Sequence, residues 1–136
     1  MRKVSILIGI CMLVALALTL MAQGPPDLSP IMKDVAATQN SLRMNLMNNA
    51  AADVEKDAAK LQDDFTKAMG FFKAMKAQDA VDTAKANIDR AGEIAKAAKA
   101  NNLDAAKATA GDLQKSCKAC HDVHREQLPD KTFKFK

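Results

Sequence analysis

The sequence predicts an all-α protein, an antiparallel up-down-up-down four-helix bundle. Three observations predict it. Alanine dominates the composition, the 5 glycines and 4 prolines are few and clustered, and tryptophan and tyrosine are absent; such a chain has strong helix propensity along its length. Beyond residue 30, apolar residues recur at alternating steps of three and four in four separate stretches, the period of a helix face. Only short breaks separate these stretches, so consecutive helices run antiparallel. A length of 136 residues suits one domain.

The N-terminus reads as a targeting segment. Arg2 and Lys3 form a basic start, Val4 to Leu20 is apolar, and the small residue Ala22 follows. This is the pattern of an export signal cleaved after residue 22, leaving a mature domain of residues 23–136. The alternative is a retained membrane anchor, for which the apolar run is about the minimum length. Cleavage removes Cys11 and leaves Cys117 and Cys120 as the mature cysteines. It also removes two cations, taking the net charge from +4 to +2. No basic patch with interleaved aromatics is present, so a nucleic-acid partner is not expected.

Gln23 to Pro30 is an extended leader in which Ser29 is expected to cap a helix with Pro30 at its first position. Helix one then runs to about Asn48, with Ile31, Val35, Thr38 and Leu42 on one stripe and Met32, Gln39 and Leu46 beside it. Asn48-Asn49 suits a turn. Helix two spans about Ala51 to Lys76, with a heptad seam of Val54, Ala58, Leu61, Phe65, Ala68, Phe72 and Met75. Asp53, Asp57, Asp63 and Asp64 fall off that seam and are expected in solvent. Gly70 reads as a point of close approach by a neighbour. Helix three, from Gln78 or Asp79 to about Ala100, has a seam of Val81, Ala84, Ile88, Ala91, Ala95 and Ala98, with Ile94 alongside. Asn101-Asn102 makes the next turn. Helix four runs from Leu103 to about Gln127, and the tail from Asp130 to Lys136 reads as a surface strap.

The chemistry lies in helix four. Its seam is Leu103, Ala106, Ala110, Leu113, Cys117, Cys120 and His124. Within it stands Cys117-Lys118-Ala119-Cys120-His121. Two thiols three residues apart, followed directly by an imidazole, have the spacing at which a c-type haem is attached. Each sulfur would form a thioether with the porphyrin, and His121 would reach the iron as proximal ligand. Both cysteines continue the apolar register, so the helix points them into the bundle, and one haem would lie inside it near the C-terminal helix. A zinc site needs four ligands, and here Cys117, Cys120, His121 and His124 would crowd one helix. A redox dithiol of the thioredoxin kind precedes a helix in a βαβ setting. Haem is the favoured reading, with zinc and dithiol chemistry as the alternatives. His124 shares a helix with His121, so the two cannot take opposite faces of one iron. A methionine from another helix is the natural second ligand, with Met32, Met44, Met47, Met69 and Met75 as candidates.

At Cys117-Lys118-Ala119-Cys120-His121-Asp122-Val123-His124-Arg125 the chain resembles the haem box of the cytochrome c′ family and its six-coordinate c-556 relatives, Cys-x-x-Cys-His-x-x-aromatic-Arg. His124 stands at the aromatic position. The resemblance implies Cys117 and Cys120 as thioether residues, His121 as proximal ligand and Arg125 as a basic residue near the haem. The c-556 type places a distal methionine early in helix one, where this chain has Met32. It further implies a periplasmic location, protein redox partners and a homodimer formed through the first two helices. The expected function is electron transfer. The alternative is a five-coordinate binder of nitric oxide or carbon monoxide, with Leu28, Ile31 or Val35 over the iron. No nucleophile or acid–base constellation stands out, so an enzyme is not expected.

Overall fold

In a computed structural model that describes residues 27–136, four helices pack against one another and a short β-hairpin closes the chain. The export segment and its cleavage point lie outside the described residues. The helices are α1 (Leu28–Met47), α2 (Ala51–Ala74), α3 (Gln78–Lys99) and α4 (Leu103–His124); the strands are β1 (Arg125–Gln127) and β2 (Phe133–Phe135). The up-down-up-down bundle is therefore present. Among the described residues, no helix is long and apolar enough to cross a membrane.

The three interhelical turns share one geometry. Asn49, Lys76 and Asn101 take left-handed φ values of 54°, 57° and 57°. In each turn that residue's N–H reaches the carbonyl three back, as Asn49 to Leu46, Lys76 to Lys73 and Asn101 to Ala98. The next N–H reaches five back, as Ala50 to Asn45, Ala77 to Phe72 and Asn102 to Ala97. This is the Schellman arrangement, which satisfies the last carbonyls of a helix and reverses the chain. Asparagine tolerates the conformation; Lys76 occupies it at a cost.

Several expectations are corrected. Asp27, not Ser29, caps α1: its carboxylate accepts from the Ser29 N–H at 2.9 Å. Asp64, expected in solvent, is 1% exposed and ion-paired to Lys60 at 2.9 Å and Lys67 at 3.8 Å. It occupies a seam position between Leu61 and Phe65, and the two lysines neutralise it where water cannot. Met75, placed on the seam, is exposed, because α2 ends at Ala74. A Cβ at Gly70 would meet nothing within 4 Å, so no neighbour approaches there. In α3 the buried stripe runs through Ala84, Asn87, Ala91, Ile94 and Ala98, while Ile88 and Ala95 sit at its edge. α4 stops at His124 rather than Gln127, because Arg125–Gln127 pairs antiparallel with Phe133–Phe135.

The core divides in two. At one end Leu42, Leu46, Val54, Leu61, Ile94 and Leu113 pack densely. At the other, Ala68, Phe71, Phe72, Ala80, Val81 and Ala84 form a smaller cluster. Burial along α4 ends at Leu113. α2 packs extensively on α3, but α1 and α4 barely touch. The bundle is thus open between its first and last helices, at the end where α4 carries its cysteines.

Candidate functional site

That opening is a cavity of about 690 Å³, within the range of about 300–1,000 Å³ usual for small-molecule and cofactor sites. Each element contributes a wall. α1 supplies Met32, Val35 and Gln39, which recur on one helical face. α2 supplies Phe65, Phe71 and Phe72, and α3 supplies Ala84 and Asn87. α4 supplies Cys117, Cys120, His121 and His124, and the hairpin supplies Arg125, Phe133 and Phe135. All five residues singled out by sequence, namely Met32, Cys117, Cys120, His121 and Arg125, therefore line one cavity. Of the five methionines in the described residues, only Met32 lines it. Met44, Met47 and Met75 are exposed elsewhere, and Met69 packs beside the Phe71–Phe72 cluster without reaching the cavity.

Cys117 and Cys120 are half-buried and not joined to each other. The amide of Gln39 donates to Cys117 Sγ at 3.2 Å, the one side-chain hydrogen bond described between α1 and α4. Burial pushes the Cys117 thiol above its ordinary range, against the Gln39 contact. Burial, then the neighbouring Cys117 and Asp79, does the same at Cys120. Both groups are thus protonated thiols. Burial and then the Arg125 guanidinium lower the His121 pKa, so its imidazole is neutral near pH 7, with lone-pair nitrogen available.

His124 is committed elsewhere. Its Nε2 lies 2.7 Å from Asp79 Oδ2, at the start of α3, and its Nδ1 lies 3.3 Å from the Lys136 carbonyl. Its ring stacks on Phe135, with centroids 4.9 Å apart and planes 11° from parallel. The hydrogen bond from His124 holds the Asp79 carboxyl below the usual range. Phe135 also packs against Phe71 and Phe72, at 5.6 and 5.4 Å between centroids. The tail is therefore a strap, as expected, but one folded as a hairpin and carrying an aromatic ring into the cavity wall. Arg125 lies 3.4 Å above the Phe133 ring, in cation–π contact.

Sequence reasoning missed Asn87, Phe71, Phe133 and Phe135 as wall residues. The first two sit one position off the predicted seams, and the last two need a long-range strand pairing. Gln39, expected only beside the apolar stripe of helix one, also lines the cavity and contacts Cys117.

The donor set can be tested for fit to a porphyrin. The walls are apolar and aromatic, the two thiols sit one helical turn apart on one wall, and sulfur and nitrogen donors come from α1 and α4, the two helices flanking the gap. No three His, Cys, Asp or Glu side chains among the described residues converge to hold an ion by themselves; this is neutral toward a porphyrin iron, whose in-plane ligands are its own. The residues fit the group. Comparison with family models, with curated proteins and with solved structures returns no match in any of the three.

Proposed function

We propose that this chain is an exported c-type cytochrome of the c-556 kind, holding one covalent haem and transferring electrons between protein partners. The observation that carries the reading is the convergence of Met32, Cys117, Cys120, His121 and Arg125 on one cavity. The bundle brings the start of α1 beside the end of α4; what supports the reading is that the residues placed there are a thioether, two thiols, an imidazole and a guanidinium around an apolar cavity. When bound, the haem supplies an iron that cycles between ferric and ferrous states. The protein's part is to hold and screen it. Cys117 and Cys120 anchor through their sulfurs, and α4 fixes both. His121 offers a neutral imidazole from the same helix. Met32 would offer a thioether from α1, a ligand type that raises the potential of a His-ligated iron and favours electron transfer over substrate binding. Phe65, Phe71, Phe72 and Phe135 exclude water.

The raised thiol pKa values weigh against dithiol chemistry, which needs a stabilised thiolate. The position in the last turns of α4 weighs the same way, since the C-terminal end of a helix disfavours negative charge.

Leu28 and Val35 line the same wall as Met32, and an apolar wall over an unligated iron is what a gas-binding site requires. The ferric absorption spectrum separates the two readings. Electron transfer predicts a low-spin spectrum with a methionine–iron charge-transfer band that disappears in Met32→Ala. A high-spin, five-coordinate spectrum indifferent to Met32→Ala would overturn it in favour of gas binding.

A further inference from the structure

The formal charges lining the cavity, histidines aside, come from only two places. Asp27 and Lys33 belong to the start of α1, and Arg125, Lys131 and Lys134 belong to the hairpin. α1 touches β2 of that hairpin. Every other lining residue is uncharged, so the cavity takes its formal charge, four cations against one anion, from the start of α1 and the hairpin alone. Three of the five charges are engaged. Asp27 accepts from the Ser29 N–H, Lys134 pairs with Glu126 at 3.1 Å, and Arg125 lies on Phe133. Lys33 and Lys131 have no ion-pair partner among the described residues.

Lys131 stands on a hydrogen-bonded turn. Its N–H donates to the Leu128 carbonyl at 2.9 Å, and the Leu128 N–H donates to the Thr132 carbonyl at 2.8 Å. Asp130 Oδ1 accepts from both the N–H and the hydroxyl of Thr132, at 2.9 and 2.6 Å. The turn holds Lys131 at a φ of 65°, the left-handed region that lysine adopts only under constraint.

A largely apolar cavity with two unpartnered cations among its lining residues complements a flat apolar ligand that carries anions. We propose that Lys33 and Lys131 form a carboxylate-binding rim that takes the ionised acid side chains of a porphyrin and sets which edge faces solvent. This rests on the haem reading above but makes its own claim, since it concerns the porphyrin's acids and not its iron or its attachment to cysteine.

The test uses the full chain produced without covalent haem, in reducing buffer at low salt. Metal-free deuteroporphyrin IX and its dimethyl ester are titrated by fluorescence, and the readout is the ratio of their affinities. The diacid is expected to bind about threefold to tenfold tighter than the ester, the size that two exposed ion pairs supply. Lys33→Gln/Lys131→Gln should remove that preference. Lys99→Gln/Lys107→Gln, with the same charge change at the opposite end of the bundle, should keep it. Equal affinities in the native chain, or a preference surviving in the Lys33/Lys131 variant, overturn the rim. Failure of both porphyrins to bind also overturns it, while the mass of the exported chain still judges the haem reading. A preference without covalent haem in the exported chain leaves a porphyrin site standing and removes the cytochrome.

Discussion

Asp64 and Asp63 are adjacent carboxylates with opposite fates. Asp63 pairs with Lys67 at 2.6 Å, but both side chains are more than half exposed. An exposed pair of this kind is screened by water and adds little to stability. Asp64 is 1% exposed and held by Lys60, so loss of its charge leaves a buried polar group with weaker partners, at about 1–3 kcal/mol. Chemical denaturation should show Asp64→Asn destabilising by about that amount and Asp63→Asn by less than about 0.5 kcal/mol. Equal effects would mean that Asp64 is solvated. His121 gives a pH signature in the haem-free chain. Its pKa is lowered by burial, so the unfolded chain binds the proton more tightly. The stabilising contribution is complete above the ordinary histidine value of about 6.5 and falls away as pH drops toward the folded value. Denaturation midpoints should therefore fall on acidification from pH 7 to 5, and His121→Gln should flatten that slope.

Helices α1 to α4 were legible because each buries a seam of apolar residues at regular spacing, and alanine keeps the rest helical. What escaped was set by contacts between elements. The α3 seam shifts by one position, from Ile88 to Asn87 and from Ala95 to Ile94, because alanine at so many neighbouring positions leaves the stripe's centre undetermined. Arg125-Glu126-Gln127 are helix formers locally; their pairing with Phe133–Phe135 depends on Phe135 seating against Phe71 and Phe72. The turns were read correctly where asparagine marks them, but nothing in Met75-Lys76-Ala77 announces a left-handed residue. Lys76 makes that prediction specific. With φ at 57°, Lys76→Gly removes a Cβ penalty of about 1–2 kcal/mol and adds glycine's unfolded-state entropy. A net stabilisation of about 0.5–1 kcal/mol is expected in thermal or urea unfolding, whereas destabilisation would show that the turn tolerates a Cβ without strain.

At the scale of the molecule, the bundle is two unequal halves. One end closes around Leu61, Ile94 and Leu113; the other holds a cavity of about 690 Å³ between α1 and α4. Cys117, Cys120 and His121 were recognisable from spacing alone. Residue patterning left five methionines as candidates and the resemblance pointed to Met32; the antiparallel arrangement then brings the start of α1 beside the end of α4, where Met32 alone of the five described methionines lines the cavity. A chain so rich in alanine has few large core side chains, and a bound porphyrin would supply the apolar surface that the open end lacks. Whether a porphyrin is bonded to this chain is read most directly from intact mass. The protein is exported from a host that attaches haem, purified, and weighed under denaturing conditions. One haem added to the mature chain is expected, retained through denaturation and lost in Cys117→Ala/Cys120→Ala. The mass of the bare polypeptide, under conditions where a control c-type cytochrome is loaded, would contradict it.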